Sequence, residues 1–539
     1  MNKKASAQPD KSFTSTEFSE HFSGTFQSCN NISSSANFHK SIAESAFLFP
    51  VTEVEIFEYF NNLRNKATRQ ENDVQMFLWK LVGPAILTPV CMIANQMLTD
   101  ATFPDILKLA DVTPVFKKGN RRDVKNYRPV TVLHNLSKIL ENVILTKLSS
   151  FIELHDILPP CQFGFRRNHS TKDAVLSLVL QIEKNIIDKK RTCCVFIDLS
   201  KAFDRVNHRK LLDILYNLGF KGEFHSLIES FLHNRLFRVK LDSSFSKYSY
   251  IEAGVPQGGI ISPLLYCLYV SDLESIHPNV IQYADDTTFI LLYEDNYDLQ
   301  HILSSLSTNV DSYMSSRDLI LNVGKTEILV FGERSGLTLN FLSDKFTSVD
   351  TAKFLGMRIS SNRKFDTHIN NHILPRIRSQ FHTFYHLSTY LNIKDKVSLF
   401  HAFVSSHIVY AIPFILNANK SSVDKLSRAY NKAMKILFRL PIRFPSDHLP
   451  LKTSLPCLSS LLHTHSLKYA YLIYNNLTPS FISESFIRTS RHNFILKSHN
   501  DDKSLHNHIS QIWNKLDYTI KSTRIKSHFA KVIKQVTQI

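Results

Sequence analysis

The sequence predicts an α+β fold over about residues 50–360, followed by an all-α basic region. Short apolar runs of strand type lie between longer helical stretches, and from about residue 365 the pattern is almost wholly helical. Residues 1–350 carry 37 Lys and Arg against 39 Asp and Glu, whereas residues 351–539 carry 27 against 8. A basic last third beside a neutral body suggests a track for a polyanion, although a merely solubilising surface is the alternative.

Local sequence signals predict the individual elements along the chain. Residues 1–50, rich in Ser, Asn and Thr, predict a linker or loosely ordered lead-in. Thr52 with Glu55 three residues later predicts a helix start of the capping-box type. The predicted strands are 110–116, 193–197, 237–241, 280–283 and 288–292, and the main predicted helices are 136–154, 171–188, 208–234 and 298–317.

Composition excludes several classes of protein. With 43% apolar residues the chain is no disordered tail, and its seven cysteines show no zinc-ligand spacing, so we expect no zinc site. No apolar signal core follows the start, and the uncharged stretches 81–98 and 397–419 contain prolines and polar residues. We therefore expect buried helices there, no transmembrane segment or membrane partner, and an intracellular setting in the cytoplasm or nucleus.

Carboxylates follow two of the predicted strands. Asp198 ends the run 193–197, which is apolar on both faces as in a central strand, so its carboxylate would lie at the rim of a sheet. Asp285 and Asp286 fall in a tight hairpin between strand-like residues, where a bound cation would offset their repulsion. A helix cap and an ordinary polar turn are the alternatives. Carboxylates from two strands can hold a pair of divalent cations for phosphoryl transfer.

Taken with Pro256-Gln257-Gly258 between them, these motifs resemble the palm of a reverse transcriptase, and the likeness is to non-LTR (LINE-type, jockey-like) retrotransposons. The resemblance implies a right-hand polymerase with fingers, an antiparallel-sheet palm and a helical thumb, followed by a basic all-α C-terminal extension. It divides the chain into a lead-in (1–50), fingers (51–190), palm (191–362), thumb (363–450) and extension (451–539).

The resemblance also assigns roles around the incoming nucleotide. Asp198, Asp285 and Asp286 would be the metal ligands and hold two Mg²⁺ ions, with Mn²⁺ as a substitute, and Lys325 would protonate the pyrophosphate leaving group. The nucleotide-binding residues would be Lys117 and Arg128 on a fingers hairpin, Phe203 against the ribose 2′-hydroxyl, and Gln257 with Gly258. A core aromatic is the alternative for Phe203, and a solvated turn residue is the alternative for Lys325.

Template and primer would meet a third group of residues. Arg166 lies in the next fingers motif, Tyr283 precedes the aspartate pair, and Phe354-Leu355-Gly356 resembles the primer-grip hairpin. The chain departs from the family at residues 66–73, where a Gly-Pro-Asp run is usual, and at Gly259, where Ser is favoured. We also expect the chain to lack the N-terminal endonuclease of the family.

The implied activity is RNA-directed DNA synthesis. An RNA template, a DNA primer and dNTPs would be the partners, and the primer 3′-hydroxyl would attack the α-phosphorus. A domesticated or truncated, catalytically inactive nucleic-acid-binding protein is the main alternative. A viral RNA-dependent RNA polymerase is disfavoured by aromatic Phe203. The oligomeric state does not follow from the sequence.

Overall fold

The computed structural model describes residues 13–27, 41–63, 70, 73–332, 336–362, 366–486, 505–516, 518–521, 529 and 533. The departure from the family within residues 66–73 therefore lies almost entirely outside the described residues. The chain divides into two compact units. Unit 1 comprises Met1–Phe165, Asp198–Pro278 and Thr308–Val323, and unit 2 comprises Arg166–Ile197, Asn279–Ser307 and Gly324–Ile539. The division into fingers, palm, thumb and extension stays a prediction.

Both predicted kinds of element are present, which confirms the α+β class. The helices are α1 (Ser15–Ser23), α2 (Glu53–Asn62), α3 (Met76–Thr99), α4 (Asn135–Leu154), α5 (Thr171–Ile187), α6 (His208–Asn217), α7 (Gly222–Leu232), α8 (Ser262–Tyr269), α9 (Asn296–Ser316), α10 (Asp366–His368), α11 (Leu374–Leu387), α12 (Ile393–Phe400), α13 (Ser406–Ile415), α14 (Lys420–Leu437), α15 (Leu449–Thr453), α16 (Leu458–Tyr474), α17 (Ser480–Ser485), α18 (Leu505–Asn514) and α19 (Tyr518–Lys521). The strands are β1 (Leu109–Phe116), β2 (Tyr127–Val132), β3 (Arg191–Ile197), β4 (Leu236–Leu241), β5 (Ser244–Phe245), β6 (Ser249–Tyr250), β7 (Val280–Tyr283), β8 (Asp286–Tyr293), β9 (Glu327–Val330), β10 (Thr338–Phe341), β11 (Asp344–Thr347), β12 (Thr351–Phe354) and β13 (Met357–Ser360).

The sheet of unit 1 has the order β2-β1-β4-β5, with β6 also paired to β4. β1 is antiparallel to β2 but parallel to β4, and this parallel pairing places Asp111 directly opposite Arg238. The guanidinium Nε of Arg238 lies 2.8 Å from Oδ1 of Asp111, so a cross-strand ion pair supports the register. The sequence predicted strands at β1 and β4, whereas the parallel pairing of these two strands depends on tertiary structure.

Unit 2 contains the antiparallel sheet β7-β8-β3-β9, in which β3 is a central strand. Cys193, Cys194 and Val195 are fully buried, and α5 packs on β3 and β7. The uniformly apolar run is therefore explained by coverage of the central strand, as predicted. Two separate hairpins, β10–β11 and β12–β13, also belong to this unit.

The predicted lead-in contains a folded segment. Thr14 and Glu17 form a capping box at the start of α1, and Phe18 and Phe22 of this helix are buried with Phe26 in the core of unit 1. The expectation of a loosely ordered lead-in is therefore wrong for this part. The capping box predicted at Thr52 and Glu55 is confirmed at α2.

The apolar stretch 81–98 is helical, as predicted, but it is mostly not buried. It lies in α3, where Leu81 is 73% and Met92 68% exposed. In the part of the chain that the structure describes, α3 is one helix long and apolar enough to cross a membrane, with 17% of its most apolar window buried. One such helix is weak evidence for a membrane protein, but the predicted burial of this segment is wrong.

The C-terminal helices are integrated into unit 2. The hydroxyl of Tyr469 in α16 donates to Oδ1 of Asp173 in α5 at 2.7 Å, and the ring of Tyr474 stacks on Trp513 at 4.8 Å. α16 also packs against α13. Removing the predicted extension 451–539 would therefore expose apolar surface of unit 2.

Candidate active site

The predicted aspartate turn is a hairpin of two residues. The last pair of the β7–β8 ladder is Tyr283 with Asp286, so Ala284 and Asp285 form the turn. Ala284 has a φ of +57°, a left-handed conformation that costs a non-glycine residue about 1–3 kcal/mol. Strained backbone of this kind is common at functional sites, and here it fixes the positions of Asp285 and Asp286, both half-buried.

Asp198 is the first residue after β3. The preceding residue, Ile197, pairs with Thr287 of β8. The carbonyl of Asp198 accepts a hydrogen bond of 2.8 Å from the amide of Asn322, and an isolated bridge joins Leu199 to Leu321. This second attachment holds the segment that follows the strand, so the backbone of Asp198 is anchored by its neighbours.

Lys325 lies beyond that attachment. It ends a 3₁₀ turn, Val323–Lys325, immediately before β9, and its side chain is half-buried. This placement does not distinguish a proton donor from a turn residue, so its role stays a prediction.

Donor chemistry and geometry give different results for the predicted metal site. Carboxylate oxygens suit Mg²⁺ well, so the three aspartates fit the chemistry of the predicted ions. Within the described ranges, however, no three His, Cys, Asp or Glu side chains lie close enough together to hold a metal ion. The fit therefore rests on the donor set and the strand register.

The predicted nucleotide-binding residues share one region of unit 1. Lys117 and Arg128 are exposed on the β1–β2 hairpin. Further along β2, the Thr131 amide donates to the Gln257 carbonyl at 3.0 Å. At Gly258, with φ +137°, a Cβ would lie 2.4 Å from the carbonyl oxygen of Thr131. The close approach of backbone to β2 therefore requires glycine at this position.

The segment Gly254–Ile261, here called the Gln257 loop, is also joined to the turn that contains Phe203. The Val255 amide donates to the Phe203 carbonyl at 2.9 Å, and the Gly254 amide to the Val206 carbonyl at 2.8 Å. The Nε2 atom of buried His208 donates to the Gly254 carbonyl at 2.7 Å. Burial lowers the pKa of His208 to about 4, so the ring is neutral at physiological pH.

A buried carboxylate completes this connection. The side-chain amide of Gln257 donates from Nε2 to Oδ1 of Asp204 at 2.6 Å, and Asp204 is 2% exposed. Burial raises the pKa of Asp204 to about 6, against opposing effects of the hydrogen bond from Gln257 and the charges of Lys201 and Arg128. Sequence analysis missed Asp204, although it directly follows Phe203 in the same motif.

Phe203 is half-buried with its ring face against a second aromatic ring. It stacks on Tyr266 at 4.7 Å with an interplanar angle of 19°, and its edge faces Phe165 at 6.5 Å. A partly exposed, rigidly stacked ring suits a steric gate, but the same packing suits a core aromatic. Its role in sugar choice therefore stays a prediction.

The far end of the Gln257 loop rests on a second buried carboxylate. Glu141 of α4 accepts from the amides of Ile260, at 2.5 Å, and Ile261, at 3.4 Å, just before α8 begins. Burial raises its pKa, and the charge of Arg235 opposes this shift. Glu141 was also missed, and its signal was a charged residue among the buried apolar positions of α4.

Arg235 is fully buried, and the charge of Glu141 favours its ionised form. Its Nη1 donates to the Phe231 carbonyl at 3.1 Å, and its guanidinium lies over the Phe231 ring at 4.7 Å. Nε and Nη2 find no hydrogen-bond partner among the residues that the structure describes. Burial lowers the pKa of Arg235 to about 10, so it remains charged at neutral pH.

Gly259, a departure from the family, has a local explanation. A Cβ at this position would lie 2.5 Å from Oγ of Ser262 and 3.1 Å from Oε2 of Glu141. Any side chain would therefore have to displace the hydroxyl of Ser262 and press on Glu141. The arrangement at the start of α8 thus favours glycine in this chain.

The predicted primer-grip residues form the turn of the β12–β13 hairpin. Leu355 and Gly356 both have positive φ, as a type I′ turn requires, and Phe354 packs on Phe196 of β3 at 5.8 Å. The hydroxyl of Tyr410 in α13 donates to the Leu355 carbonyl at 2.5 Å. Within unit 2, this hairpin is therefore anchored to both the sheet and a helix.

Arg166, the remaining predicted template contact, begins unit 2. It is half-buried, and its carbonyl accepts from the His169 amide at 3.3 Å, shortly before α5. Tyr283 is half-buried at the end of β7. Contact of either residue with nucleic acid stays a prediction.

The middle of the chain matches a known protein family. Residues 115–359 match the family described as "Reverse transcriptase (RNA-dependent DNA polymerase)", so this stretch is a reverse transcriptase domain. It includes every predicted site residue, from Lys117 to Gly356.

Two relatives indicate which kind of RNA-directed DNA polymerase the chain resembles. The chain is 26% identical over 444 residues to the "Probable RNA-directed DNA polymerase from transposon BS" of Drosophila melanogaster, covering 78% of this chain and 48% of the relative. It is 25% identical over 438 residues to the "RNA-directed DNA polymerase from mobile element jockey" of Drosophila funebris, covering 78% and 47%. The chain is therefore similar to jockey-like RNA-directed DNA polymerases and spans about half the length of these curated relatives.

A solved structure of apo telomerase from Candida tropicalis is also similar. It is 12% identical, with a TM-score of 0.34, over 55% of this chain and 62% of that chain.

Proposed function

We propose that this chain is an RNA-directed DNA polymerase that adds dNTPs to a primer 3′-hydroxyl. The β3–β8 register supports the proposal: Ile197 pairs with Thr287, and in the chain Asp198 directly follows Ile197 while Asp286 directly precedes Thr287. Asp285 is adjacent in the hairpin turn. This order of strands and aspartates supports the assignment of the three carboxylates as metal ligands.

Asp198, Asp285 and Asp286 would hold two Mg²⁺ ions, or Mn²⁺ in their place. When bound, such ions stabilise the negative charge that develops on the attacking and leaving oxygens. Lys117 and Arg128 would bind the triphosphate, Phe203 and Gln257 would contact the sugar side of the nucleotide, and Lys325 would donate a proton to pyrophosphate. Template and primer would meet Arg166, Tyr283 and the β12–β13 hairpin. We expect these reactions inside the cell.

The direct test is primer extension on poly(rA)/oligo(dT) by the purified full chain in Mg²⁺. We expect deoxythymidine addition that depends on both template and divalent cation. Chelation with EDTA should abolish extension, and added Mg²⁺ should restore it. Absence of extension with intact primer–template binding would favour the inactive nucleic-acid-binding protein instead.

A groove in unit 2 supports nucleic-acid binding in either case. It has a volume of about 610 Å³ between α11 and α14, and all six lining residues are cationic or apolar: Arg378, Phe381, Lys425, Arg428, Ala429 and Lys432. Its four cationic side chains are exposed.

The geometry of the groove suits a chain of phosphates. Lys425, Arg428 and Lys432 recur at helical spacing along one face of α14, and Arg378 faces them from α11. Nζ of Lys432 lies 5.3 Å from the centre of the Phe381 ring, which holds this cation at the wall. We propose that the groove binds backbone phosphates of template or primer without reading sequence.

A further inference from the structure

We propose that Asp204 is a positioning residue that fixes the orientation of the Gln257 amide, and thereby selects which hydrogen-bonding group of the nucleotide that amide receives. The inference rests on the proposed function, since it deepens the role of Gln257. It assigns Asp204 no contact with substrate. Its specific content is that an ionised Asp204 leaves Gln257 able to act toward a ligand mainly as an acceptor.

The hydrogen bond between Gln257 and an ionised Asp204 can form in one orientation of the amide. An ionised carboxylate can only accept hydrogen bonds, so the 2.6 Å contact with Asp204 must use the NH₂ group of Gln257. The amide cannot flip without facing oxygen against oxygen. Asp204 takes up one of the two N–H donors of Gln257 and excludes the orientation in which Oε1 would face it. Oε1 is therefore available to a ligand, and its matching group is a donor, such as a sugar hydroxyl or a base N–H.

Backbone contacts hold the Gln257 loop against the segment that contains Asp204. Gly254 has a φ of +90°, and a Cβ there would lie 2.8 Å from the carbonyl oxygen of Asp204. Hydrogen bonds from Gly254 and Val255 to the Val206 and Phe203 carbonyls join the same two segments. The backbone of Gln257 is therefore held near Asp204 independently of the carboxylate, so Asp204 is needed for side-chain orientation rather than for loop position.

Burial of the Asp204 carboxylate is unfavourable for the stability of the fold. A carboxylate that is 2% exposed loses its hydration, and a neutral side chain of similar size would avoid this loss. Lys201 and Arg128 are the charged groups that favour its ionised form, and neither offsets the effect of burial fully. A group that is unfavourable for stability, and that directly follows Phe203 in the chain, is best explained by a role in the site.

The role of Asp204 can be tested by changing whether its carboxylate is protonated. Below about pH 6 Asp204 takes up a proton, and a carboxylic acid can donate as well as accept, so the Gln257 amide is free to adopt both orientations. Asp204→Asn reproduces that freedom at every pH while preserving shape. Exposed Asp213 of α6 provides the matched control, as Asp213→Asn removes a carboxylate from the surface of the same unit.

We expect the KM for dNTP of Asp204→Asn to exceed that of the wild type about fivefold at pH 8, with kcat changed less than twofold, because a charge-assisted hydrogen bond becomes a neutral one. The ratio of the two KM values should fall to about one at pH 5. Asp213→Asn should match the wild type throughout. A ratio that does not change with pH, or a loss confined to kcat, would overturn the proposal.

Two further measurements separate positioning from folding. Because burial raises the pKa of Asp204, protonation stabilises the fold below about pH 4, and this stabilisation is lost as the pH rises through about 6. Asp204→Asn should therefore melt above the wild type at pH 8 but not at pH 4, so weaker nucleotide binding cannot be attributed to unfolding. In a Gln257→Met background, Asp204→Asn should no longer change KM. An unchanged effect in that background contradicts the proposal.

Equilibrium binding of dTTP in Mg²⁺ gives the same comparison without catalysis. We expect the fivefold difference in Kd at pH 8 and its disappearance at pH 5. A wild type that binds dTTP but does not extend primers overturns the proposed function alone. Equal Kd values for wild type and Asp204→Asn at pH 8 overturn the role of Asp204 alone.

Discussion

The Gln257 loop of unit 1 and the α11–α14 groove of unit 2 use charge in opposite ways. In the first, Asp204, Glu141 and Arg235 are buried, and the two carboxylates receive hydrogen bonds from specific groups of the loop. In the second, Arg378, Lys425, Arg428 and Lys432 are exposed around a groove. The first arrangement fixes the position of individual atoms, whereas the second attracts a polyanion of any sequence.

The difference predicts different responses to mutation. A buried charge that loses its partner cannot be screened by water, so each loss should be large and local. Exposed cations act at longer range through solvent and salt, so their losses should be small and additive. Substitutions in the two regions should therefore differ in the size of their effects.

The largest effect should come from the metal ligands. Asp198→Asn or Asp285→Asn removes a ligand charge with little change in volume, so we expect polymerisation to fall on the order of a thousandfold. Primer–template binding should stay within about twofold, as the groove cations are unchanged. Primer extension and equilibrium binding measure the two quantities, with Asp213→Asn as control. Near wild-type extension in Mg²⁺ would exclude the assigned ligand.

Next comes the buried pair beneath the Gln257 loop. Glu141→Ala leaves the buried Ile260 amide without its acceptor and removes the charge that favours ionised Arg235, so the free energy of unfolding should fall by about 1–3 kcal/mol. Adding Arg235→Met should recover part of the loss, because the buried positive charge is then also removed. Denaturant unfolding checks both, and Glu58→Ala on the exposed face of α2 is the control. Equal stability of Glu141→Ala and its control would show that Arg235 does not depend on Glu141.

A smaller effect is expected at Phe203. Phe203→Val removes the ring that stacks on Tyr266, so ribonucleotide use relative to deoxyribonucleotide should rise about tenfold, by roughly 1.4 kcal/mol, if the ring excludes a 2′-hydroxyl. Competitive single-nucleotide incorporation measures the ratio. An unchanged ratio together with a lower melting temperature would support the core-aromatic interpretation.

The smallest single effects should come from the groove. Lys425→Ala, Arg428→Ala and Lys432→Ala should each make the plot of log affinity against log salt shallower by about 0.7–0.9, as each removes one phosphate contact. Fluorescence anisotropy at several salt concentrations gives the slope. Lys184→Ala, an exposed cation of α5 in the same unit, should leave it unchanged. Equal slopes for all variants would show that the groove is not a phosphate track.

Point substitutions are the suitable test here because truncation would not isolate charge. The contacts of Tyr469 with Asp173 and of Tyr474 with Trp513 tie the C-terminal helices to unit 2. Deleting residues 451–539 would combine lost charge with exposed core. Charge substitutions at exposed positions leave that packing intact.

The sequence by itself determined the elements that have strong local or periodic signals. The run 193–197, apolar on both faces, predicted a central strand, Thr52 with Glu55 predicted a helix start, and the aspartates between strand-like residues predicted a hairpin. All three are confirmed, because capping and tight turns depend on nearby residues, and a fully covered strand must be apolar throughout.

Tertiary structure alone decided the rest. Apolar content predicted burial of residues 81–98, yet most of α3 is not buried, and the Ser-rich lead-in contains α1, which is packed by its phenylalanines. The contacts of Gln257 with Asp204 and of the Ile260 amide with Glu141 join residues 53 and 119 positions apart. Burial and long-range hydrogen bonds depend on which surfaces meet after folding, and the order of residues in a single sequence carries no direct signal of that meeting.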